Sequence, residues 1–430
     1  MRIIYSLLLY SALSLLTVAP FGASRAAQDG CIASSGEPIR LGAIFPQGVF
    51  FSADNSDSFK GIEAMRQAIN ECGGVDGRPI EWVYEPASDR ESAEAAATKL
   101  ISEDGVPLIV GSGLLAVNEG GRAAAESLGA VYWEVSEAVD PGGEWHFSIR
   151  PDNRQLGETA GRFVNYELPK MLAITNVRVA LIYENRPRGQ TIAEGVLASL
   201  SEEPVMIYNY TDHLENSRQL GVQLREDEID AVILATFEHD GDHMWYAAQQ
   251  ADANVGAWIH IGGEGYRRGM CERVGNLEGF ISIDASGPID REGREAIIGD
   301  LYSMYRQIYL AENNREPSEL ADLAASGVYM LLRYVLPQTN GNYTATDIRE
   351  AILSLTEIQA MGLLGEGISF EERIGRNIAA SAVVQQSQNG NFCSLWPSEL
   401  GTCMGGLQPF PTWRERALAE ENRSCNVPEV

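Results

Sequence analysis

The chain alternates short apolar runs with segments of helical periodicity, and this alternation restricts the fold more than any other feature. Residues 39–44 form an apolar run, and apolar side chains then recur at helical spacing through residues 62–69. Gly73 and Gly74 predict the end of this helix, since glycine readily adopts the left-handed conformation that closes helices. The pattern is typical of a parallel βαβ unit, in which the loop after the strand faces the ligand crevice.

Such units occur in two successive series. In the first series, further strands are predicted at 79–84, 107–110 and 131–135. In the second series, strands are predicted at 177–183, 205–210, 231–237 and 257–261. An extended segment with Pro151-Asp152 separates the two series, and a new helix follows it. The chain is therefore predicted to fold into two α/β lobes.

The helix predicted at 88–101 has a start signal of its own. Ser88 and Glu91 have the S-x-x-E spacing of a capping box, and an alanine-rich segment follows them. We therefore expect the first turn of this helix to be capped by Ser88.

The last third of the chain predicts helices and a hairpin but no third sheet. After a strand at 279–283, helices are predicted at 291–309, 317–336 and 346–355, and they are expected to return to the first lobe. Asn389-Gly390 is typical of a type I′ turn, so residues 378–396 predict a β-hairpin. The tail from 398 to 430 is expected to be irregular.

The N-terminus predicts export. Arg2 precedes an apolar run at 3–18, and Ser24 and Ala26 occupy the positions that signal peptidase favours. The run is shorter than the ~20 residues that a membrane-spanning helix requires. Residues 1–26 are therefore predicted to be a cleaved signal peptide, which implies a periplasmic protein that is not embedded in the membrane after cleavage.

The charge and the motifs argue against several classes of function. A formal net charge of -28 is unfavourable for binding nucleic acid, because phosphate groups are bound through positive charge. Gly111-Ser112-Gly113 lacks the G-x-S-x-G form of a hydrolase nucleophile. His239 and His243 have the spacing of a metal pair, but Asp240 follows His239, so the H-E-x-x-H motif is absent. No phosphate-binding glycine motif occurs either, and no cofactor is predicted.

The six cysteines predict disulfides, because the chain is predicted to be exported and the count is even. Cys31 precedes the first strand, and Cys72 ends the first predicted helix, which runs antiparallel to that strand. Both are therefore expected at one end of the first lobe. Cys393 and Cys403 flank a short loop and are expected to pair. Cys271 is then left for Cys425.

Several segments together resemble the type I periplasmic solute-binding proteins, in the leucine/isoleucine/valine-binding branch that serves ABC importers. The matching segments include IRLGAIFPQG, HFSIRPDNRQLGETAGRFV, VRVALIYENRPRGQTIAEGV and GAWIHIGGEGY. The resemblance implies two Rossmann-like lobes joined by three hinge segments, near 147–150, 281–286 and 365–374. The lobe boundaries that it implies are 38–148 with 286–364, and 149–283 with 375–397.

The resemblance also implies a ligand site between the lobes. In amino-acid binders of the family, hydroxyl groups and backbone N–H groups of two first-lobe loops hold the ligand carboxylate. Here Leu115 and Ala138 stand where hydroxyls are expected, so this carboxylate clamp is altered. The candidate contacts in the first lobe are Phe50, Ser112, Leu114, Glu134 and Ser136. For Glu134 and the nearby Glu137, a solvated rim position is the alternative.

Three residues of the second lobe are also candidate ligand contacts. Arg188 stands where the family often has a tyrosine, with a surface salt bridge as the alternative. Glu264, between glycines after a strand, matches the acidic residue that holds the ligand ammonium in amino-acid binders, with a solvated loop position as the alternative. Phe237 ends a strand and fits either the core or the pocket.

The resemblance implies a receptor without catalytic activity. It would bind a small polar organic ligand, an amino acid or an amine-bearing relative, and deliver it to the permease subunits of an ABC transporter. The altered first-lobe loops leave open an amide- or urea-type ligand. A ligand-sensing domain that acts with a signalling partner is the other class left open.

Overall fold

Two α/β lobes make up the protein in the computed structural model. It describes residues 31–46, 53–112, 114–135, 143–211, 214–236, 238–262, 267–285, 299–355, 367–380, 382–398 and 401–419. Residues 32–430 form one compact unit, and both lobes lie within it.

The first lobe is built on a parallel sheet with the order β2-β1-β3-β4-β5. Its strands are β1 (Ile39–Phe45), β2 (Ile80–Pro86), β3 (Leu108–Gly111), β4 (Val131–Glu134) and β5 (His146–Ser148). The helices between these strands are α1 (Ala53–Glu71), α2 (Arg90–Ser102) and α3 (Leu115–Leu128). Strands β3 and β4 are buried along their whole length, as expected for parallel strands covered on both faces.

The second lobe is built on a sheet with the order β12-β11-β10-β9-β8-β6-β7, parallel except where β11 pairs with β10 and β12. Its strands are β6 (Val179–Glu184), β7 (Met206–Tyr210), β8 (Ala231–Ala235), β9 (Ala257–Ile261), β10 (Ile281–Asp284), β11 (Val383–Gln388) and β12 (Asn391–Trp396). Its helices are α4 (Asn153–Tyr166), α5 (Leu168–Leu172), α6 (Pro187–Ser199), α7 (Ser217–Glu226), α8 (Glu238–Ala251) and α9 (Arg267–Val274). The sequence pattern did not predict the short helices α5 and α9.

The helices of the last third pack on the first lobe. They are α10 (Asp300–Asn313), α11 (Glu319–Met330) and α12 (Ala345–Ser354), and a π turn (Leu331–Val335) and a 3-10 turn (Leu336–Thr339) follow α11. Trp133 of β4 donates its indole N–H to the carbonyl of Gly327 in α11 at 3.0 Å. Tyr302, Ala325 and Ile348 belong to the same buried cluster as Leu41 of β1.

Helix caps show where local sequence decides the structure. Asp152 caps α4, because its side chain accepts from the N–H of Gln155 at 2.8 Å and its own N–H donates to the Gln155 side chain. At α2 the prediction of Ser88 as the cap is wrong by one residue. The cap is Asp89, whose carboxylate accepts from the Ser92 N–H at 2.8 Å, since aspartate is at least as good a cap as serine.

The prediction of an irregular tail is wrong for its middle part, which forms α13 (Trp413–Ala419). Phe410 and Trp413 are buried in the core of the second lobe, and the Trp413 indole N–H donates to the Ala253 carbonyl at 2.8 Å. The guanidinium of Arg416 lies 3.9 Å from the ring centroid of Phe410. The aromatic side chains thus hold this segment on the lobe although few strands or helices form there.

One predicted disulfide, Cys393–Cys403, is confirmed, with 5.0 Å between the Cα atoms. Cys72 and Cys271 are also disulfide-bonded. The pairing of Cys31 with Cys72 and of Cys271 with Cys425 stays a prediction, and Cys425 lies outside the described residues.

Asn377 connects two segments in which the chain passes between the sheets. One segment follows β5 and the other precedes β11, and the N–H of Ser148 donates to the Gly375 carbonyl where they meet. The buried Asn377 amide donates to the carbonyls of Ile149 and Gly367, both at 2.9 Å. Its oxygen accepts from the N–H groups of Ser369 and Ala379.

Replacement of Asn377 tests this connection. Asn377→Ala would leave two buried carbonyls and two partly buried N–H groups without their partner, and we expect a loss of about 3 kcal/mol in the free energy of unfolding. Urea denaturation measures it. Asn209→Ala, at an exposed asparagine in β7, is the matched control and should cost under about 1 kcal/mol. Equal losses in the two variants would contradict the role of Asn377.

Candidate ligand-binding site

The strand orders locate the candidate site. In the first sheet the chain reverses direction across the sheet between β1 and β3, and in the second sheet between β6 and β8. Open parallel sheets bind ligands at the carboxyl ends of the strands that flank such a reversal. The candidate site is therefore formed by the residues at the carboxyl ends of β3, β6 and β8, together with those at the ends of the neighbouring strands β4 and β9.

A network of neutral polar groups lies at the end of β3. The N–H of Ser112 donates to the Asn118 side-chain oxygen at 2.8 Å, and the hydroxyl of Tyr132 donates to the same oxygen at 2.9 Å. The N–H of Leu114 donates to the Ser112 hydroxyl at 3.0 Å. Gly111 is required here, because a Cβ at this position would lie 1.8 Å from the Tyr132 oxygen. The network joins the end of β3 to α3 and β4.

Glu134 lies at the end of β4 and is fully buried, so the alternative of a solvated rim position is wrong for it. Its carboxylate oxygen lies 2.7 Å from Nε2 of His146, the first residue of β5. Burial, followed by the nearby charge of Arg122, lowers the pKa of His146 to about 3. The ring is therefore neutral and donates to the carboxylate, which satisfies part of the hydrogen-bonding need of a buried charge.

Arg188 connects the ends of two strands in the second lobe. Its Nη2 donates to the carbonyls of Ile261 and Gly262, both at 3.1 Å, and its Nη1 lies 3.5 Å from the carboxylate of Glu184. The Glu184 side chain is 1% exposed and the Arg188 side chain 21% exposed. Burial raises the pKa of Glu184, while the positive charge of Arg188 acts in the opposite direction. The salt bridge expected as the alternative for Arg188 is thus present, with Glu184 as its partner. It lies at the carboxyl ends of the strands, which is the edge where open parallel sheets bind ligands.

A second buried histidine lies beside this pair. The His260 Nε2 is 3.4 Å from the hydroxyl of Thr236, which follows β8. Burial, followed by the charge of Arg188, lowers the pKa of His260 from its usual 6.5 to about 3. The second lobe therefore brings a carboxylate, a guanidinium, a hydroxyl and a neutral imidazole together at the ends of β6, β8 and β9.

The sequence pattern located some of these groups and missed others. Ser112, Leu114, Glu134 and Arg188 do lie at the ligand edges of the two sheets, and their contact with a ligand stays a prediction. Phe50, Ser136, Phe237 and Glu264 lie outside the described residues, as does Glu137. The pattern missed Asn118, His146, Glu184, Thr236 and His260. Strand pairing brings His146 to Glu134 and His260 to Thr236. Asn118 and Glu184 meet Ser112 and Arg188 within single strand–helix units, where no motif marks them.

No group of three or more His, Cys, Asp or Glu side chains within the described ranges could hold a metal ion. Within the same ranges, no helix is long and apolar enough to cross a lipid bilayer.

The comparisons with known proteins decide the family. The family model described as "Periplasmic binding protein" matches residues 38–391, which is most of the chain. The chain belongs to the periplasmic binding protein family. Members of this family are solute-binding proteins, so the resemblance seen in the sequence and the two-lobed fold class are confirmed.

Relatives and solved structures agree with this family. The Leu/Ile/Val-binding protein homolog 7 of Brucella abortus is 23% identical over 389 residues, covering 86% of this chain and 94% of that protein. An ABC transporter substrate-binding protein from Desulfitobacterium hafniense in complex with Leu has a TM-score of 0.65 at 19% identity, covering 84% and 100% of the two chains. A solute-binding protein from R. palustris in complex with benzoate has a TM-score of 0.58 at 14% identity, covering 86% and 100%.

His260 gives this protein a testable dependence of stability on pH. The folded state keeps the ring neutral, whereas the unfolded chain protonates it below pH ~6.5. The free energy of unfolding therefore keeps its full value above pH ~6.5 and decreases as the pH falls toward ~3. We expect the ring to cost about 2 kcal/mol of unfolding free energy between pH 7.5 and pH 5. Urea denaturation at the two pH values should show that His260→Gln removes this loss.

His243 supplies the control for that measurement, because its side chain is 57% exposed. His243→Gln should keep the pH dependence of the original protein. If His260→Gln loses as much stability between the two pH values as His243→Gln does, the buried neutral ring is not the cause.

Proposed function

We propose that this protein is the extracytoplasmic solute-binding protein of an ABC importer. It binds a small polar organic ligand between the two lobes and delivers it to the permease subunits. The observation that carries the proposal is the pair of polar clusters at the ligand edges of both sheets, around Ser112 and around Arg188. The proposal includes export by a signal peptide at residues 1–26 and a periplasmic location.

The binding mechanism that we propose is closure of the two lobes on the ligand. The segments near 147–150, 281–286 and 365–374 act as hinges, and contacts from both lobes favour the closed form. Two of these segments meet at Asn377, which keeps them in register while the lobes rotate. A ligand bound at micromolar concentration needs ~8 kcal/mol, which a few hydrogen bonds in a dry cleft can supply.

An amino acid or an amine-bearing relative is the first choice of ligand. The leucine complex of the Desulfitobacterium hafniense protein and the isoleucine complex of the Streptococcus pneumoniae protein LivJ support this choice. Glu264 is the residue that we propose for the ligand ammonium, because its position after β9 matches the acidic residue of amino-acid binders.

A ligand that is not an amino acid is the second candidate. The first-lobe loop has Leu115 where a hydroxyl is expected, and its Leu114 N–H already donates to Ser112. The benzoate complex of the R. palustris protein shows that a protein of similar fold holds a ligand without an amine.

A thermal-shift screen tests the proposed function. The mature protein would be heated with amino acids, amines, amides and short organic acids. A true ligand at 100 times its Kd should raise the free energy of unfolding by ~2.7 kcal/mol, since it binds only the folded state. A screen in which no compound of any class stabilises the protein would contradict the proposal.

Glu264→Gln tests the contact with the ligand amine. With an amine ligand from the screen, loss of a charge-assisted hydrogen bond should weaken binding by ~1.5 to 3 kcal/mol in a calorimetric titration. Glu202→Gln removes an exposed carboxylate of the same lobe and should leave the affinity unchanged. If both variants bind as the original protein does, Glu264 does not hold the amine.

A further inference from the structure

We propose that the ligand carries a carboxylate and that Arg188 binds this group from the second lobe, with Glu184 as the residue that positions the guanidinium. The inference rests on the proposed function and narrows its ligand class to organic acids, amino acids included. It also places the ligand carboxylate on the second lobe, whereas the altered carboxylate clamp lies in the first lobe.

The guanidinium of Arg188 is held in one orientation and keeps donors to spare. The carbonyls of Ile261 and Gly262 accept from Nη2, and the carboxylate of Glu184 lies 3.5 Å from Nη1. A guanidinium has five N–H groups, and these bonds use three of them. Within the described residues, neither Nε–H nor the second Nη1–H of Arg188 has an acceptor, so both can donate to a ligand.

Two glycines make room for this arrangement. Gly262 has a φ of +73°, and a Cβ there would lie 2.2 Å from Nη2 of Arg188. Gly189 lies in the first turn of α6, and a Cβ there would lie 2.2 Å from the backbone oxygen of Glu184 and 2.4 Å from its Cγ. Larger residues would displace the guanidinium or the carboxylate. The backbone on both sides is therefore shaped around the pair.

The charge of Arg188 remains able to attract an anion. The carbonyl groups that accept from Nη2 are dipoles without net charge. The Glu184 carboxylate lies 3.5 Å from Nη1, at the long end of the hydrogen-bond range. The Arg188 side chain is 21% exposed, whereas that of Glu184 is 1% exposed. An incoming carboxylate therefore meets the guanidinium and not the buried acid.

The first-lobe loop offers less to a carboxylate. The Leu114 N–H, one of the backbone donors after β3, is already engaged by the Ser112 hydroxyl at 3.0 Å. The side chain of Glu134 is buried at the end of the neighbouring strand and offers carboxyl oxygens there, not cationic donors. Binding of a ligand carboxylate is therefore electrostatically more favourable beside Arg188 than beside the first-lobe loop.

Paired probes that differ only at the acid test the proposal. We would measure binding of leucine and leucinamide, and of benzoate and benzamide, to the full mature chain by calorimetry, together with the other acids, amines and amides of the screen. We expect the acids to bind at least about tenfold more tightly than their amides. Arg188→Gln should abolish this preference, and Arg188→Lys should keep part of it because it keeps the charge.

Two further variants distinguish direct contact of Arg188 with the ligand from two other effects, the positioning of its guanidinium by Glu184 and the general positive charge of this surface. Glu184→Gln should reduce the ratio of acid to amide affinity by several-fold, a change that a residue needed only for folding would not cause. Arg186→Gln removes an exposed arginine two residues before Arg188 and should keep the ratio of the original protein. Urea denaturation of each variant shows which are folded, and Arg188→Lys carries the test if Arg188→Gln is not.

The outcomes separate the two proposals. Equal binding of acids and amides, binding of amines or amides only, or an acid preference that survives Arg188→Gln would overturn the assignment of Arg188 and leave the proposed function standing. No binding by any compound of any class would overturn both.

Discussion

The four hydrogen bonds of Asn377 are the interaction on which the two-lobed arrangement depends. Where the chain leaves one sheet for the other, its backbone groups have no strand beside them, yet several are buried. Buried N–H and C=O groups need partners, and one side-chain amide supplies two donors and two acceptors at this point. Two crossing segments therefore share a fixed point, and Arg376 reinforces it by donating to Asp152 at 2.7 Å.

The two halves of the site differ in their electrostatics. Around β3 the groups are neutral and bonded to one another, from Ser112 and Leu114 to Asn118. At the ends of β6 and β9 a guanidinium is held between a buried carboxylate and two carbonyls. In the proposed closed form, a ligand would thus contact neutral polar groups of the first lobe and the guanidinium of the second lobe. The proposed ligand class follows from this asymmetry.

Much of the fold was predictable because the signals are local. Apolar runs and helical spacing located the strands of the two sheets to within about five residues, except β5, which was predicted only as part of an extended connection. The turn at Asn389-Gly390 predicted the hairpin. The misses have physical causes. Asp89 caps α2 because it competes with Ser88 for the same orphan N–H groups. The tail lacks a periodic pattern, and Trp413 and Arg416 are ordered by aromatic contacts with the second lobe.

The sequence by itself determined the α/β class, the number of lobes and the loops that carry ligand candidates, since these depend on periodicity and on the carboxyl ends of strands. Only the tertiary structure decided which side chains meet. Glu134 became a buried partner of His146 because β4 and β5 are neighbours, and Arg188 reached Ile261 because β9 lies two strands from β6. Strand order is set by packing of the whole lobe, and no short stretch of residues encodes it.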